Sequence, residues 1–524
     1  MRVTILSTSD IHGYIRADDF RRPLLNDGLG LSRVATVIED VQKNSADDEV
    51  VLKIENGDFI QGSPLTNYIE KTAQDQLHLY EDLASAVDYD VRILGNHEFN
   101  YGREYLERAV PSAKLLNANI LDAETLKPFI GKPYDIFHQK GVKIGVIGLT
   151  TKFVPKWEQP DHIKGLIFMD PVDVAKQYIA ILRPQVDVLV LAYHGGFAED
   201  LKTGEALERV TGENQGYQLL QLPGVDAVVT GHQHRKIAEV VNGIPTTQPG
   251  YRGDEVGMIS LELDADRSVT AAMAELISTA DYPERADIVK LIEPVQKPLD
   301  LWLDREVGTV GDNLEITNHK LARLHNHPFI ELVNQVQMAA TGTKIANTAL
   351  FNNEVRGLKN EVTLRDIMTN YIYPNTIAVE KLTGQDIKDA LEVNARYFQL
   401  DANGALIVNP LFIYPKTQHY NYDIWSGIEY TFDFSLPMNH RVTAVTVQGV
   451  PLDLTGEYEV TMNNYRAGGA GNFPMFSAGK IVREVQLETS ELIGDYILEH
   501  PHISIAQPTN ITSVGYNSVT EELD

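Results

Sequence analysis

Five short apolar runs in the first half of the chain are each followed by an Asp, Asn or His. Such runs are typical of buried strands, and the ligands of an open α/β sheet bind beyond the carboxyl ends of its strands. The polar residues after the runs are therefore placed to converge on one site. The runs and the residues that follow them are 3–6 with Asp10 and His12, 50–54 with Asp58, 89–94 with Asn96 and His97, 186–192 with His194, and 225–229 with His232 and His234.

The first part of the chain alternates between apolar runs and helical stretches, which predicts an α/β domain over 1–283. We predict helices over 31–43, 76–87 and 172–183 and a last strand pair over 258–276.

The pattern changes after this domain. Apolar residues at helical spacing, interrupted by Pro294 and Pro298, predict a helical linker or hinge over 284–303. A second domain with its own helices and strands is expected over 304–524. A chain of 524 residues is too long for one ordinary core, in agreement with this division.

Charge and composition narrow the possible functions. The net charge is −28, from 45 basic and 73 acidic residues, and it disfavours binding to nucleic-acid polymers. A small anionic substrate is compatible with this charge if metal ions supply positive charge locally. The absence of cysteine excludes disulfides, thiolate metal sites and cysteine nucleophiles.

The sequence offers no apolar window of about 18 residues, so we expect no membrane span. The apolar run at the N-terminus is too short for a signal-peptide core. We therefore expect the chain as given to be cytoplasmic; the alternative is an exported protein whose leader has been trimmed.

Seven of the polar residues form a candidate metal site. A lone Asp or His after a strand is usually a cap or turn residue, but five such strand ends in one domain predict metal ligands. Mixed nitrogen and oxygen ligands suit Mn²⁺, Zn²⁺, Co²⁺, Fe²⁺ or Mg²⁺. Asp58, in a tight Asn-Gly-Asp turn, has room to bridge two ions, which at about 3.5–4 Å apart would polarise a phosphoryl group and activate water.

The motifs around these residues resemble the blocks of the calcineurin-like metallophosphoesterases, and the whole chain resembles the two-domain 5′-nucleotidase family. More specific stretches are similar to bacterial 2′,3′-cyclic-nucleotide 2′-phosphodiesterase/3′-nucleotidases. The motifs are Ser9-Asp10-Ile11-His12, Asn56-Gly57-Asp58, Gly95-Asn96-His97-Glu98-Phe99-Asn100-Tyr101-Gly102, Tyr193-His194-Gly195-Gly196, Gly231-His232-Gln233-His234, Tyr373-Pro374-Asn375-Thr376, Tyr420-Asn421-Tyr422-Asp423 and Asn463-Asn464-Tyr465-Arg466-Ala467-Gly468-Gly469.

The resemblance implies an architecture and a role for each ligand. It implies an N-terminal four-layer α/β/β/α sandwich, a helical linker and a C-terminal α+β nucleotide-binding domain. The first ion would be held by Asp10, His12 and His234, the second by Asn96, His194 and His232, and Asp58 would bridge them.

His97, which is not a ligand, would stabilise developing charge or help the leaving oxygen depart. Asn100 stands at the position where 5′-nucleotidases commonly carry an Asp that pairs with the catalytic histidine. His234 stands where some 5′-nucleotidases carry Gln. Both departures favour the cyclic-nucleotide branch of the family.

The second domain carries candidate substrate-binding residues. By resemblance, Tyr420 and Tyr465 would stack on the nucleobase; Tyr422 is an alternative to Tyr420, and core packing is the alternative for Tyr422 and Tyr430. Further candidates are Asn463, Gly468 and Gly469 of the Gly-rich stretch, and Arg356, for which a solvated surface position is equally compatible. His319, His325 and His327 are expected to form a surface turn rather than a metal site.

The leading hypothesis is a metal-dependent phosphoric ester hydrolase with two divalent ions. It would open 2′,3′-cyclic nucleotides to 3′-nucleotides and remove the 3′-phosphate, a role in nucleotide catabolism. The alternative on the same scaffold is a 5′-nucleotidase or a UDP-sugar (nucleotide-sugar) hydrolase. A non-catalytic nucleotide sensor is disfavoured by the complete ligand set with His97, and a nuclease by the net charge.

Overall fold

The computed structural model describes residues 1–110, 112–207, 210–373, 375–414, 416–485, 487–500 and 502–519. The chain folds into two compact units, Met1–Asp300 and Leu301–Asp524. The finer boundaries at 283 and 303 stay predictions.

The first unit alternates strands and helices as predicted. Its strands are β1 (Arg2–Thr8), β2 (Val50–Glu55), β3 (Val91–Ile93), β4 (Leu115–Leu116), β5 (Ile120–Asp122), β6 (Tyr134–Gln139), β7 (Val142–Thr150), β8 (Leu166–Phe168), β9 (Val188–His194), β10 (Ala227–Val229), β11 (Lys236–Val241), β12 (Ile244–Pro249), β13 (Glu255–Leu263) and β14 (Val269–Ser278). Its helices are α1 (Leu31–Asn44), α2 (Pro64–Thr72), α3 (His78–Val87), α4 (Gly102–Ala109), α5 (Pro171–Leu182) and α6 (Gly216–Leu220).

Local sequence explains where these elements begin. Helix α5, for example, starts at Pro171, whose fixed φ suits the first helical position. The preceding Asp170 caps it by accepting hydrogen bonds from the backbone N–H groups of Val172 and Asp173. The predicted strand pair over 258–276 is the antiparallel hairpin β13–β14.

Two six-stranded sheets build the first unit, in the orders β14-β13-β1-β2-β3-β4 and β11-β12-β10-β9-β7-β6. Buried residues of both sheets, such as Ile5 on β1 and Val190 on β9, form a shared core between them. On the outer face of the second sheet, Leu191 belongs to a core that includes Ala175 of α5. Helix α1 packs against β13 of the first sheet. The layers are therefore helix, sheet, sheet and helix, which confirms the predicted four-layer fold.

Helix α7 (Ala286–Leu303) lies within the segment 284–303 and contains both Pro294 and Pro298. Its buried residues follow helical spacing and are Ile288, Ile292, Val295, Leu299 and Leu303. Its role as a hinge stays a prediction.

The second unit is α+β. Its strands are β15 (Glu306–Val310), β16 (Ile345–Ala349), β17 (Asn360–Thr363), β18 (Ile377–Thr383), β19 (Phe398–Leu400), β20 (Ala405–Val408), β21 (Asp423–Ser426), β22 (Ile428–Asp433), β23 (Val442–Val447), β24 (Val450–Pro451), β25 (Glu457–Asn463), β26 (Ile481–Val485), β27 (His502–Ile503), β28 (Ile511–Val514) and β29 (Ser518–Val519). Its helices are α8 (His319–His325), α9 (Pro328–Thr341), α10 (Leu364–Asn370), α11 (Gly384–Asn394), α12 (Asn464–Ala467) and α13 (Thr489–Glu499).

The central sheet of this unit has the order β21-β16-β25-β18-β26, and one large hydrophobic core packs around it. Strand β25 leads directly into the Gly-rich stretch, so the sheet fixes where that stretch begins. Among the described residues, no helix combines the length and apolar character needed to cross a bilayer.

Candidate active site

The polar residues after the five strands come together although their strands belong to two sheets. Strands β1, β2 and β3 lie in the first sheet and β9 and β10 in the second, so the site forms where the carboxyl ends of both sheets meet. Asp10, Asp58 and His194 are at most 1 % exposed. Carboxylates buried this deeply require positive partners.

The first group of possible metal ligands consists of Asp10, His12 and His234, whose ligand atoms all lie within 4.8 Å of one another. His234 Nε2 is 3.4 Å from Asp10 Oδ1 and 3.1 Å from His12 Nε2. These are the three residues that the resemblance assigns to the first ion.

The second group consists of Asp58, His194 and His232, again with ligand atoms within 4.8 Å. Asn96 belongs with them, because its Oδ1 lies 3.1 Å from His194 Nε2 and 2.8 Å from His232 Nδ1. The structure thus places all seven predicted ligands in two adjacent groups.

Asp58 is a member of the second group that also faces the first. Its Oδ2 is 3.1 Å from His194 Nε2 in the second group and 4.0 Å from His12 Nε2 in the first. Its Oδ1 is fixed by the backbone N–H of His97 at 2.7 Å, whereas the buried Oδ2 accepts no hydrogen bond from the described residues. One oxygen is anchored and the other is available to both groups, as a bridging carboxylate requires.

The protonation pattern of two histidines tests whether cations fit this centre. His12 Nδ1 lies 2.7 Å from the Gln61 carbonyl oxygen, and His194 Nδ1 lies 2.7 Å from that of Asn56. A carbonyl can only accept, so each Nδ1 carries the proton and each Nε2 of the neutral ring presents a lone pair. Lone pairs of nitrogen and of Asp58 therefore face one another, and a divalent cation fits between them.

Glu213 completes this pattern for His232. Its Oε1 accepts a hydrogen bond from His232 Nε2 at 3.0 Å, which leaves Nδ1 to face Asn96. Carboxylates commonly orient metal-binding histidines in this way. Glu213 was not predicted from the sequence, because it follows no strand and belongs to none of the motifs.

The pKa shifts of the buried Asp and His side chains also indicate that this centre fits cations. Burial would raise the pKa of Asp58, but the neighbouring histidines, with His194 first, hold it well below its usual range. Burial lowers the pKa of His12 to about 3. For His194 burial acts in the same direction, yet Asp58 and Asp10 raise its pKa to about 10. The ionised carboxylates thus need a positive charge, which either a proton on His194 or a cation supplies.

Glu98 holds the two central turns together, a role that the sequence analysis did not assign. Its buried carboxylate accepts hydrogen bonds from the backbone N–H groups of Asp58 at 2.8 Å, Phe59 at 2.6 Å and Gly95 at 2.6 Å. A side chain at Gly95 would meet Asp58, because a Cβ there would lie 2.2 Å from Asp58 Oδ1. The sequence does carry a signal for the role of Glu98, because Glu98 lies within the Gly-Asn-His-Glu motif.

Five of the seven candidate ligands have a left-handed backbone, which non-glycine residues seldom adopt. Such a conformation costs of order 1–3 kcal/mol per residue and persists where surrounding structure enforces it. The residues and their φ angles are Asp10 at 57°, His12 at 52°, Asp58 at 57°, His232 at 72° and His234 at 57°.

His97 lies beside the ligands but in neither group. Its Nδ1 is 2.6 Å from Asn100 Oδ1, and its ring packs edge-on against that of His12, with centroids 5.2 Å apart. The structure therefore pairs His97 with Asn100, as the resemblance implies, and leaves its Nε2 free of that hydrogen bond.

The candidate base-binding tyrosines are neighbours in the second unit. The rings of Tyr420 and Tyr465 are half-buried, and their centroids lie 6.5 Å apart at an interplanar angle of 80°. Two rings that sandwich a base must be parallel and about 7 Å apart, twice a van der Waals separation. The tyrosines therefore have nearly the required separation, and one ring must turn before both can stack on a base.

Arg466 connects the segments that carry these tyrosines. Its guanidinium donates to the carbonyl oxygens of Tyr420 and Ala470 and forms a buried ion pair with Asp423, Nε to Oδ2 2.7 Å. It also lies over the Phe473 ring, 4.0 Å from its centroid.

The remaining candidates of the second unit have structural contacts. Asn463 caps α12, since its Oδ1 accepts a hydrogen bond from Arg466 N at 2.8 Å. Gly469 has a φ of +83°, which favours glycine, and Gly468 has a φ of −72°. Arg356 is half-buried, and its backbone N–H donates to Asn370 Oδ1.

Tyr422 and Tyr430 are 1 % and 2 % exposed, so they are core aromatics and Tyr422 is not available to a base. Pro374 lies outside the described residues.

The expected surface turn at His319, His325 and His327 is wrong. Residues His319–His325 form α8, and His327 caps α9 by accepting a hydrogen bond from Phe329 N. All three histidines are half-buried, and neither metal-binding group found among the described residues includes one. The proline after His327 starts a helix rather than ending a turn.

Comparison with known proteins supports the resemblance. Residues 3–236 match the family model "Calcineurin-like phosphoesterase", and residues 307–478 match "5′-nucleotidase, C-terminal domain". A solved structure of a putative 5′-nucleotidase from Staphylococcus aureus, in complex with α-ketoglutarate, is 34% identical. The similarity covers 98% of this chain and 100% of that chain, with a TM-score of 0.90.

The chain belongs to the two-domain 5′-nucleotidase family of calcineurin-like metallophosphoesterases. Within this family it is similar to curated enzymes named 2′,3′-cyclic-nucleotide 2′-phosphodiesterase/3′-nucleotidase. The Yersinia enterocolitica protein is 29% identical over 88% of this chain and 80% of the relative. The Haemophilus influenzae protein is 28% identical over 94% and 84%.

Membership in the 5′-nucleotidase family confirms two predictions, the recognition from motifs and the enzyme class, a phosphoric ester hydrolase. The prediction of divalent metals as a class of cofactor agrees with the family and with the two metal-binding groups.

Proposed function

We propose that the chain is a two-metal hydrolase of small nucleotides. It would open 2′,3′-cyclic nucleotides to 3′-nucleotides and then remove the 3′-phosphate. The observation that carries the proposal is the position of Asp58 Oδ2, which faces both His194 and His12 and accepts no hydrogen bond from the residues that the structure describes. The names of the Yersinia and Haemophilus relatives support this choice of substrate.

The residues that would hold the ions are those of the two groups, with Asp58 between them. Divalent ions bound there supply Lewis acidity toward a phosphoryl group and toward water. Mn²⁺, Zn²⁺, Co²⁺, Fe²⁺ and Mg²⁺ are all compatible with the donor atoms. The assignment is Asp10, His12 and His234 for one ion, and Asn96, His194 and His232 for the other.

His97 would act on the leaving oxygen. Because Asn100 accepts its Nδ1–H, Nε2 is the nitrogen that can approach a substrate. In the first reaction the leaving oxygen is the ribose 2′-oxygen, and in the second it is the 3′-oxygen. In each, His97 Nε2 would stabilise the charge that develops or deliver a proton to it.

Residues of the second unit would bind the nucleoside. Tyr420 and Tyr465 would stack on the base, and stacking tolerates any base because every base has a π-face. Asn463 caps α12 and would thereby fix the start of the helix that carries Tyr465. Gly468 and Gly469, which follow this helix, and Arg356 are further candidates for contact with the substrate.

A 5′-nucleotidase or UDP-sugar hydrolase is the second candidate. The observation in its favour is the similarity to the putative 5′-nucleotidase from Staphylococcus aureus, at 34% identity. The presence of Asn100 and His234, where 5′-nucleotidases commonly have Asp and some have Gln, favours the cyclic-nucleotide activity instead.

A panel of nucleotides distinguishes these activities. Phosphate release is measured from 2′,3′-cyclic AMP, 3′-AMP and 5′-AMP with Mn²⁺ and with chelator, and chromatography follows the 3′-AMP that forms from the cyclic substrate. We expect release from the cyclic substrate and from 3′-AMP, and loss of both with chelator. Release from 5′-AMP alone would establish the second candidate.

A further inference from the structure

A chain of hydrogen bonds connects His97 through Asn100 to Glu158. His97 Nδ1 and Asn100 Oδ1 are 2.6 Å apart, and Asn100 Nδ2 donates to Glu158 Oε2 at 2.7 Å. Glu158 is far from His97 in sequence, follows no strand and belongs to none of the motifs. Nothing in the sequence analysis assigned it a role.

The hydrogen bond from Asn100 to Glu158 determines how Asn100 can pair with His97. An amide has an oxygen that accepts and a nitrogen that donates, and its orientation is set by its partners. The Glu158 carboxylate only accepts, so it requires the NH₂ group of Asn100 and turns Oδ1 toward His97. The oxygen then accepts the Nδ1–H, which fixes the imidazole ring with Nε2 as the other reactive nitrogen.

Glu158 is itself held firmly. Its side chain is only 5 % exposed, and its Oε1 lies 2.8 Å from His162 Nδ1. The preceding residue, Trp157, stacks on the candidate ligand His232, with ring centroids 5.3 Å apart and planes inclined by 25°. One short segment thus contacts both the second metal group and the residue that orients His97.

We propose that Glu158 is a positioning residue that acts through Asn100 on His97; the proposal rests on the function proposed above. Without Glu158, the Asn100 amide can turn over and present its NH₂ group to Nδ1. The ring of His97 then has no fixed orientation toward the leaving oxygen. The metal groups and the binding of the nucleotide are left intact.

Single variants provide the first part of the test. Glu158→Ala should lower kcat for 3′-AMP about 10–100-fold, the scale of loss when a residue that orients a metal-binding histidine is removed. KM and the amount of bound Mn²⁺ should not change. Glu158→Gln keeps an oxygen that accepts from Asn100 and should retain most of the activity. Asp161→Asn, which changes an exposed carboxylate of the same segment, is the matched control.

The Asn100→Asp substitution provides the decisive part. A carboxylate at position 100 accepts the Nδ1–H of His97 in either orientation, so it should raise kcat in the Glu158→Ala background. In the wild-type background the substitution places a carboxylate at position 100 against that of Glu158, so it should lower kcat. A structural role for Glu158 would not produce this reversal of sign.

The outcomes separate this proposal from the function on which it rests. If the wild-type chain releases no phosphate from any nucleotide, the proposed function fails. If the wild-type chain is active but Glu158→Ala has normal kcat, or loses bound Mn²⁺, or is not improved by Asn100→Asp, the positioning role is refuted.

Discussion

The Glu213 carboxylate accepts a hydrogen bond from His232, with 3.0 Å between Oε1 and Nε2. The bond determines which nitrogen of His232 carries a proton and turns Nδ1 toward Asn96 Oδ1, 2.8 Å away. The geometry of the second metal group therefore depends on a residue that is not a candidate ligand.

Removal of Glu213 should weaken metal binding. Glu213→Ala removes the acceptor that fixes the tautomer of His232, so we expect affinity for the more weakly bound Mn²⁺ to fall about 10–100-fold. Calorimetric titration of metal-stripped protein measures the change. Glu205→Ala removes an exposed carboxylate of the same region and serves as the control. Equal affinities in the two variants would show that Glu213 does not orient a ligand.

His97 should affect turnover and leave the metals in place. His97→Ala removes the group that acts on the leaving oxygen, so kcat should fall about 10²–10⁴-fold. Elemental analysis should still find two ions per chain, as in His138→Ala, which changes an exposed histidine on β6. Loss of an ion from His97→Ala would make His97 a ligand.

Tyr420 and Tyr465 should contribute to nucleotide affinity alone. A stacked base contributes about 1–3 kcal/mol, so each alanine variant should raise KM for nucleotides about 5–150-fold. Turnover of p-nitrophenyl phosphate should stay almost unchanged, because this substrate has no base. The phenylalanine variants keep the rings and should resemble wild type. Equal damage to both substrates would indicate that the alanine variants disturb packing.

Glu380 should make stability depend on pH. This buried residue of β18 accepts a hydrogen bond from Ser477 N at 2.8 Å, and burial raises the pKa of its carboxyl to about 8. In the folded state it keeps its proton up to that pH, whereas in the unfolded chain it loses it near 4.5. The free energy of unfolding should therefore fall as pH rises from 5 to 8, by about 1.4 kcal/mol per pKa unit of difference.

Urea unfolding at a series of pH values checks this dependence. Glu380→Gln should flatten it between pH 5 and pH 8, and Glu361→Gln, an exposed carboxylate of the same unit, should not. Identical slopes in both variants would mean that Glu380 is ionised in the folded protein.

The sequence predicted those parts of the site that follow buried strands. Apolar runs identify strands, and strand ends meet at one edge, so Asp10, Asp58 and His194 could be placed together without coordinates. The same reasoning did not find Glu213 or Glu158. Each lies in irregular structure, and only the folded chain brings Glu213 to His232 and Glu158 to Asn100.

The errors have a similar origin. Polarity and a nearby proline favour a turn for His319 and His325, but they lie at the two ends of α8 and are half-buried. Glu98 could have been recognised, since a glutamate in a motif that ends a buried strand must find several hydrogen-bond donors. The edge-on arrangement of Tyr420 and Tyr465 depends on side-chain torsions that no residue pattern encodes.

Steady-state phosphate release by Asp58→Asn tests the central claim most directly. An asparagine keeps the size of Asp58 but removes the charge that both groups share, so both ions should bind weakly and turnover of 3′-AMP should be abolished while the fold is retained. Far-UV circular dichroism of the same sample provides the control for folding. A wild-type rate in Asp58→Asn without added metal would contradict the two-metal account.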